Sequence, residues 1–124
     1  MKLNTEKMIA EKSDGIGWMT FNNPARRNAM SLEMWEGIDV ILEDFEKDDS
    51  VRVVVMKGAG GKAFVSGADI SEFKEKRNNA EAAAHYASVS EGARARLGNL
   101  EKPLIAMIDG FCLGGGLAVA LAAD

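Results

Sequence analysis

Apolar positions divide the chain into short extended runs and helical stripes. Met8-Ile9-Ala10-Glu11-Lys12 and Ile16-Gly17-Trp18-Met19-Thr20-Phe21 flank Ser13-Asp14-Gly15. Asp-Gly between two extended runs predicts a hairpin, because the tight turn needs the positive φ that glycine adopts without steric cost. A polar loop follows over 22–30, with Pro24 inside it. Ser31 then predicts a helix N-cap, and Glu33 stands in the first turn, where the helix dipole favours a negative charge. Met34, Trp35, Ile38, Ile41, Leu42 and Phe45 recur as one apolar stripe that ends in the charged run Glu46-Lys47-Asp48-Asp49. The β-branched run Val51–Met56 predicts a mostly buried strand.

A glycine-rich loop over 58–67 leads into a helical stretch near 69–76, and the Ala- and Glu-rich segment 78–99 reads as a longer helix. Pro103 opens a further strand, Leu104–Ile108. Asp109-Gly110 and the triple glycine Gly114-Gly115-Gly116 come next, and the chain closes on an almost wholly apolar helix start over 117–124. Strand, glycine-rich loop and helix thus occur in that order twice, which is an α/β pattern. An apolar helix of this kind is normally buried on all sides. The reading adopted is that the sequence is the front part of a larger protein; the alternative is that another chain covers this helix.

Composition narrows the classes of function. With 124 residues the chain makes one small domain or part of a larger one, and 47% hydrophobic with 27% charged residues is ordinary globular composition. Lys+Arg 15 against Asp+Glu 19 gives a net charge of -4, and the nearest basic cluster, Arg26-Arg27, is too short to track a nucleic-acid backbone. A lone Cys112 makes no internal disulfide and fits a reducing compartment. The N-terminus carries no apolar run of signal-peptide length, and no stretch is long enough to span a bilayer. These features predict a cytoplasmic chain with no membrane and no nucleic-acid partner.

Two strands each end in a glycine-rich loop that turns into a helix, with Ala68 and Gly115 at the points of entry. Backbone N–H groups at such corners lack intrahelical partners, and glycine lets a ligand oxygen approach closely. Two corners facing one point make a two-donor pocket for a developing oxyanion. The same residues also fit two plain strand-to-helix turns, and spacing alone leaves both readings open. Gly58-Ala59-Gly60-Gly61-Lys62-Ala63 matches a dinucleotide fingerprint, but Phe64-Val65-Ser66-Gly67 reads as irregular where a helix must open, and no strand-ending acid follows. Lys62 precedes Ala63, so a P-loop fails as well. His85 has no ligand-spaced partner and Cys112 lies in an apolar setting; no metal site is predicted. Ser66 lacks a nucleophile elbow, and Asp69 at a helix start reads first as a cap.

Taken together, Asn23-Pro24-Ala25-Arg26-Arg27-Asn28-Ala29-Met30, Ala63-Phe64-Val65-Ser66-Gly67-Ala68-Asp69-Ile70 and Lys102-Pro103 running to Gly110-Phe111-Cys112-Leu113-Gly114-Gly115-Gly116 resemble the enoyl-CoA hydratase/isomerase (crotonase) family. The three blocks agree in order and spacing across essentially the whole chain. The resemblance implies an α/β fold, a crotonase-like spiral of ββα units, with residues 1–124 forming the N-terminal part of a single acyl-CoA-binding domain, incomplete at the C-terminus. It implies that the N–H groups of Ala68 and Gly115 hold a thioester carbonyl oxygen as it gains enolate character. Arg27, Ala29, Ser66, Gly67, Asp69, Ile70 and Gly114 map to the substrate-binding surface, and Arg26 or Arg27 suits the phosphates of coenzyme A. Coenzyme A enters as part of the substrate, no separate cofactor is implied, and family members assemble as trimers or pairs of trimers.

One departure bears on the reaction. Hydratases of the family carry a Glu two residues after the triple glycine, and Ala118 stands there. The second family Glu falls beyond residue 124. The resemblance therefore implies a thioester enzyme with hydration of a 2-enoyl-CoA as its family reaction. Isomerisation or another enolate reaction is an alternative, and a non-catalytic acyl-CoA-binding or assembly module is a second.

Overall fold

The computed structural model describes residues 1–72 and 78–124. Strand β1 (Met8–Ser13) and strand β2 (Ile16–Phe21) form the predicted antiparallel hairpin, closed by the Ser13–Ile16 pair. Asp14 and Gly15 both take left-handed backbone angles, φ 54° and 83°. Two consecutive left-handed residues give the turn whose twist matches the strands it joins. Helix α1 (Leu32–Lys47) follows, then β3 (Val53–Gly58) and the short β4 (Ala63–Val65). A 3-10 turn, Ile70–Glu72, comes before helix α2 (Ala80–Gly98). Strands β5 (Leu104–Met107) and β6 (Phe111–Cys112) lead into helix α3 (Gly115–Leu121). Among the described residues the order is therefore ββα three times over.

The first unit contributes both of its strands, and the later two contribute one each, to a main sheet ordered β1-β2-β3-β5, in which β2, β3 and β5 run parallel. The second strands of the later two units pair with each other, β4 with β6, in a separate two-stranded sheet. Parallel neighbours require a crossover, and α1 and α2 supply it. Ser31 caps α1 as its sequence position predicts: its hydroxyl accepts from the Met34 N–H at 3.4 Å, and the residue is fully buried. Glu72 adds a second acceptor at the same helix end, taking the Leu32 N–H at 2.8 Å. Asn79 caps α2 through the Ala82 N–H at 2.8 Å.

The apolar stripe of α1 is the centre of the core. Met34, Ile38, Ile41, Leu42 and Phe45 are wholly buried, together with Met19 and Phe21 of β2 and Val54 and Met56 of β3. Each such side chain contributes about 1.5–3 kcal/mol of transfer free energy. Helix α2 closes the far side of α1 with Tyr86, Ala93 and Leu97, and Arg96 Nε meets Asp39 of α1 at 2.6 Å. Phe64 of β4 reaches the same core and packs edge-on against Phe21, ring centroids 5.4 Å apart. The final apolar helix carries Leu117 and Leu121 on the surface, 48% and 75% exposed, and Ile105 and Met107 of β5 are half-exposed as well.

Several boundaries differ from the sequence expectation. The strand expected at 51–56 lies two residues later, because Val51 closes the turn from α1 by donating its N–H to the Asp48 carbonyl. The segment read as irregular from Phe64 contains β4, whose partner β6 is supplied from nearly fifty residues downstream. Of the helical stretch expected over 69–76, the Ile70–Glu72 turn is observed, and 73–77 lie outside the described residues.

Candidate active site

The loop before α1 builds the first wall. After the 3-10 turn Pro24–Arg26, Arg27 and Asn28 both take left-handed angles, φ 50° and 59°. Neither is glycine, and this region costs an L-residue about 1–2 kcal/mol. The loop is held by backbone bonds: the N–H groups of Arg26 and Asn28 donate to the Asn23 carbonyl, and that of Arg27 to Pro24. Asn28 is fully buried, and its carboxamide is fully used. Its Oδ1 accepts from the Asn23 N–H at 2.8 Å, and its Nδ2 donates to the carbonyls of Ala59 and Ala63, each at 2.9 Å.

The segment leaving β4 runs alongside this loop. Ser66 N–H donates to the Arg27 carbonyl at 3.2 Å, Met30 N–H to Gly67 at 2.8 Å, and Asp69 N–H to Met30 at 2.8 Å. These last two bonds form a parallel bridge between Met30 and Ala68. In a parallel bridge the flanking residues bond to the partner strand, so the central residue turns its own N–H the other way. Ala68, exposed, therefore directs its N–H away from the loop, and it has no acceptor among the described residues.

The second corner abuts the first. Leu113 N–H donates to the Val65 carbonyl at 3.1 Å, tying the exit of β6 to the exit of β4. Gly114 then turns the chain into α3 at φ 52° and ψ −121°, where only glycine fits without strain. A Cβ on Gly114 would lie 3.7 Å from the Gly67 Cα, so the two glycine corners stand close together with room for little between them. Gly115 opens α3 with an N–H that has no intrahelical partner and no other acceptor among the described residues. Sequence reading left the two corners either as a pair or as separate turns. The tertiary structure sets the two corners side by side.

A cavity of about 310 Å³ beside the first corner is lined by Ala25, Arg26, Arg27, Ala29, Ser66, Ala68, Asp69 and Ile70. It brings together all of the expected substrate-binding residues except Gly67 and Gly114, which stand where the two corners adjoin. Arg27 is exposed, and its guanidinium carbon stands 5.5 Å from the centroid of the Phe111 ring. Ile70 is 73% exposed at the rim. Ser66 Oγ donates to the Arg26 carbonyl at 3.4 Å.

Asp69 shows the capping geometry its position predicts: its buried carboxylate accepts from both the N–H and the hydroxyl of Ser71, at 3.1 and 2.5 Å. Its own N–H is taken by Met30, so what it offers a ligand is confined to its place in the wall. The Gly58–Ala63 run is a β3-to-β4 turn and opens no helix, which removes the dinucleotide context. His85 is exposed on α2, away from this cavity. Burial pushes the Cys112 thiol up from its ordinary pKa, the opposite of an activated nucleophile. Among the described residues, no helix is long and apolar enough to cross a membrane.

Asn28 and Glu72 are the site-supporting residues that sequence reading did not single out. Asn28 sat unremarked within a motif, and Glu72 caps α1 from forty residues away. Two non-glycine residues in succession at positive φ leave no signal in hydrophobic periodicity.

Comparison with known proteins bears on this arrangement. The family model described as enoyl-CoA hydratase/isomerase matches residues 11–124. A short-chain-enoyl-CoA hydratase of Clostridium acetobutylicum is 38% identical over 124 residues, covering 100% of this chain and 46% of that protein. A mitochondrial 3-hydroxyisobutyryl-CoA hydrolase of Rattus norvegicus is 31% identical over 118 residues, covering 94% of this chain and 31% of that one. The crystal structure of an enoyl-CoA hydratase/carnithine racemase from Magnetospirillum magneticum superimposes with a TM-score of 0.91 at 40% identity, covering 98% of this chain and 45% of that chain. The chain spans about half the length or less of these relatives. With the fold, the three motif blocks and the match over 11–124 in agreement, the chain belongs to the enoyl-CoA hydratase/isomerase family.

Proposed function

We propose that this chain supplies the thioester-binding half of an enzyme acting on acyl-CoA substrates. The Ala68 and Gly115 N–H groups together hold the thioester carbonyl oxygen. The observation that carries this reading is the Leu113 N–H bond to the Val65 carbonyl, which ties the two corners together and sets two N–H groups without an acceptor among the described residues on adjoining corners. Both donors are fixed before a ligand arrives, so they stabilise the oxygen most when it takes on negative charge. That is the condition for lowering a barrier and not merely tightening binding. Arg27, at the open end of the cavity, faces the phosphates of coenzyme A, while Ala29, Ser66, Asp69 and Ile70 shape the wall along which the thioester lies.

Hydration of a 2-enoyl-CoA is the first reaction proposed, because enoyl-CoA hydratases are prominent among the matched relatives. In that reaction the enolate forms as water adds at C3 and is quenched by a proton at C2. Both steps require an acid-base group. Ala118 supplies none, so in this reading the group comes from polypeptide outside the oxyanion corners. The same residue favours a second reading, isomerisation of an enoyl-CoA, in which a single carboxylate located elsewhere moves one proton between C2 and C4. The assembly proposed for the whole enzyme is a trimer or a pair of trimers in the cytoplasm.

The test is calorimetric binding of crotonyl-CoA and of free coenzyme A to the chain and to its Gly67→Val and Gly115→Val variants. Loss of crotonyl-CoA binding with retention of free coenzyme A supports the assigned pocket. Unaltered crotonyl-CoA binding in both variants rejects it. Assays for hydration and for isomerisation, on the chain alone and with any co-purifying polypeptide, separate the two reactions from a purely binding role.

A further inference from the structure

The geometry points to Asn28 as the positioning residue that sets the direction of the Ala68 N–H, an inference that rests on the thioester reading above. Asn28 does not itself line the cavity, although its chain neighbours Arg27 and Ala29 do. Its carboxamide instead joins three pieces of chain: the start of its own loop at Asn23, the residue just past β3 at Ala59 and the start of β4 at Ala63. One acceptor and two donors in a plane are what these three partners require, and of the side chains only a carboxamide offers that set. Gly58 belongs to the same device, since a Cβ there would lie 2.8 Å from Asn28 Nδ2 and would overlap the Ala63 carbonyl oxygen. The glycine-rich turn that resembles a dinucleotide loop is thus a socket for a buried amide.

The consequence reaches the donor through the backbone. Arg27 and Asn28 lie at positive φ, a conformation that non-glycine residues leave unless their surroundings hold them. While it is held, the Arg27 carbonyl receives the Ser66 N–H, and Met30, two residues beyond Asn28, receives and gives the bonds that flank Ala68. The orientation of the Ala68 N–H therefore depends on a loop conformation that the buried amide maintains. The phosphate end of the cavity depends on it less, because Arg27 is also braced by Phe111.

The probe is acetoacetyl-CoA, whose bound enolate gives a near-ultraviolet absorption band. Free coenzyme A, which has no thioester carbonyl, is the control ligand. Two variants are compared with the parent chain, with circular dichroism following the fold. Asn28→Gly accepts the positive φ and deletes the amide. It is expected to bind free coenzyme A within about threefold of the parent while stabilising the enolate about 100-fold less, the scale of a group misplaced by roughly 1 Å. Asn28→Asp keeps the acceptor for Asn23 but turns a carboxylate toward two carbonyls. It is expected to bind crotonyl-CoA, whose thioester does not titrate between pH 5 and 8, more weakly than the parent near pH 8 and to regain part of that affinity near pH 5, where the protonated acid donates again, a recovery the parent chain does not show.

An Asn28→Gly chain that keeps the parent's enolate band overturns the inference. So does a parallel loss of both ligands, which marks a general folding role. If Asn28→Gly does not fold, the pH comparison of crotonyl-CoA affinity within the Asn28→Asp chain carries the test, and an affinity with no recovery toward pH 5 overturns the inference. A parent chain that binds coenzyme A but gives no band with acetoacetyl-CoA removes the oxyanion reading itself, whatever the variants do.

Discussion

Adjacent glycines at the start of α3 are predicted to respond to alanine in opposite ways. A Cβ at Gly116 would overlap the Val65 carbonyl oxygen and lie 2.8 Å from both the Val65 carbonyl carbon and its Cβ. All three atoms belong to β4 or its backbone, so no flexible side-chain end can move aside. A Cβ at Gly115 meets only Trp35 Cζ2, at 3.6 Å, an ordinary contact. Relieving the Gly116 overlap pushes α3 off β4 by about 1 Å, and overpacking of this kind costs about 1–3 kcal/mol. For a chain of this length that lowers the thermal midpoint by roughly 4–12 °C. The same displacement moves the Gly115 N–H relative to Ala68, and a misplacement of about 1 Å costs on the order of 100-fold. Differential scanning calorimetry and acetoacetyl-CoA titration measure the two effects. Gly115→Ala is expected within about 1 kcal/mol of the parent in stability, because it creates no overlap. A Gly116→Ala chain with the parent's midpoint and parent ligand binding would refute the claim that α3 is seated on Val65 through its glycine.

Further outcomes follow from other parts of the molecule. Arg27→Ala is expected to weaken coenzyme A binding about 10-fold and to flatten its salt dependence, with Arg27→Lys recovering only part because an ammonium lacks the planar fork; calorimetry at two ionic strengths checks both. Phe111→Leu removes the ring beneath that guanidinium and is expected to cost about 0.5–1 kcal/mol of the same binding. Ser31→Ala removes the α1 cap and is expected to destabilise the chain by about 0.5–2 kcal/mol in a urea titration. The Asp48 carboxyl is held below the usual carboxylate range, chiefly by Lys12 and then by Ser50, and Lys12 is raised by Asp44 and Asp48. The Asp48 contribution is present above the unfolded carboxyl value of about 4 and is lost as pH falls below it, whereas the Lys12 contribution is lost only as pH rises past about 10. Asp48→Asn should therefore shorten the acid arm of the stability profile and leave the neutral region flat.

Local chemistry made much of this molecule legible in its sequence. Asp14-Gly15 specifies a two-residue turn because few other pairs accept positive φ twice, and the hairpin stands where that pair sits. Ser31 and the stripe from Met34 to Phe45 set α1 to within a residue or two, since cap and period are both properties of neighbours in the chain. The two glycine corners were visible for the same reason, and so was the family, whose three motif blocks lie in order along the sequence. What lies between remote segments left no such trace. Strands β4 and β6 span three and two residues, too few for a period to show, and each exists because the other is there. The carboxamide of Asn28 finds its partners 31 and 35 residues away, and Glu72 caps a helix that begins 40 residues before it. Only the folded chain decides that the Gly67 and Gly114 corners lie side by side, because that placement follows from the bond that ties the exit of β6 to the exit of β4. Sequence thus determined which backbone groups were free to donate, and tertiary packing decided that two of them stand on adjoining corners.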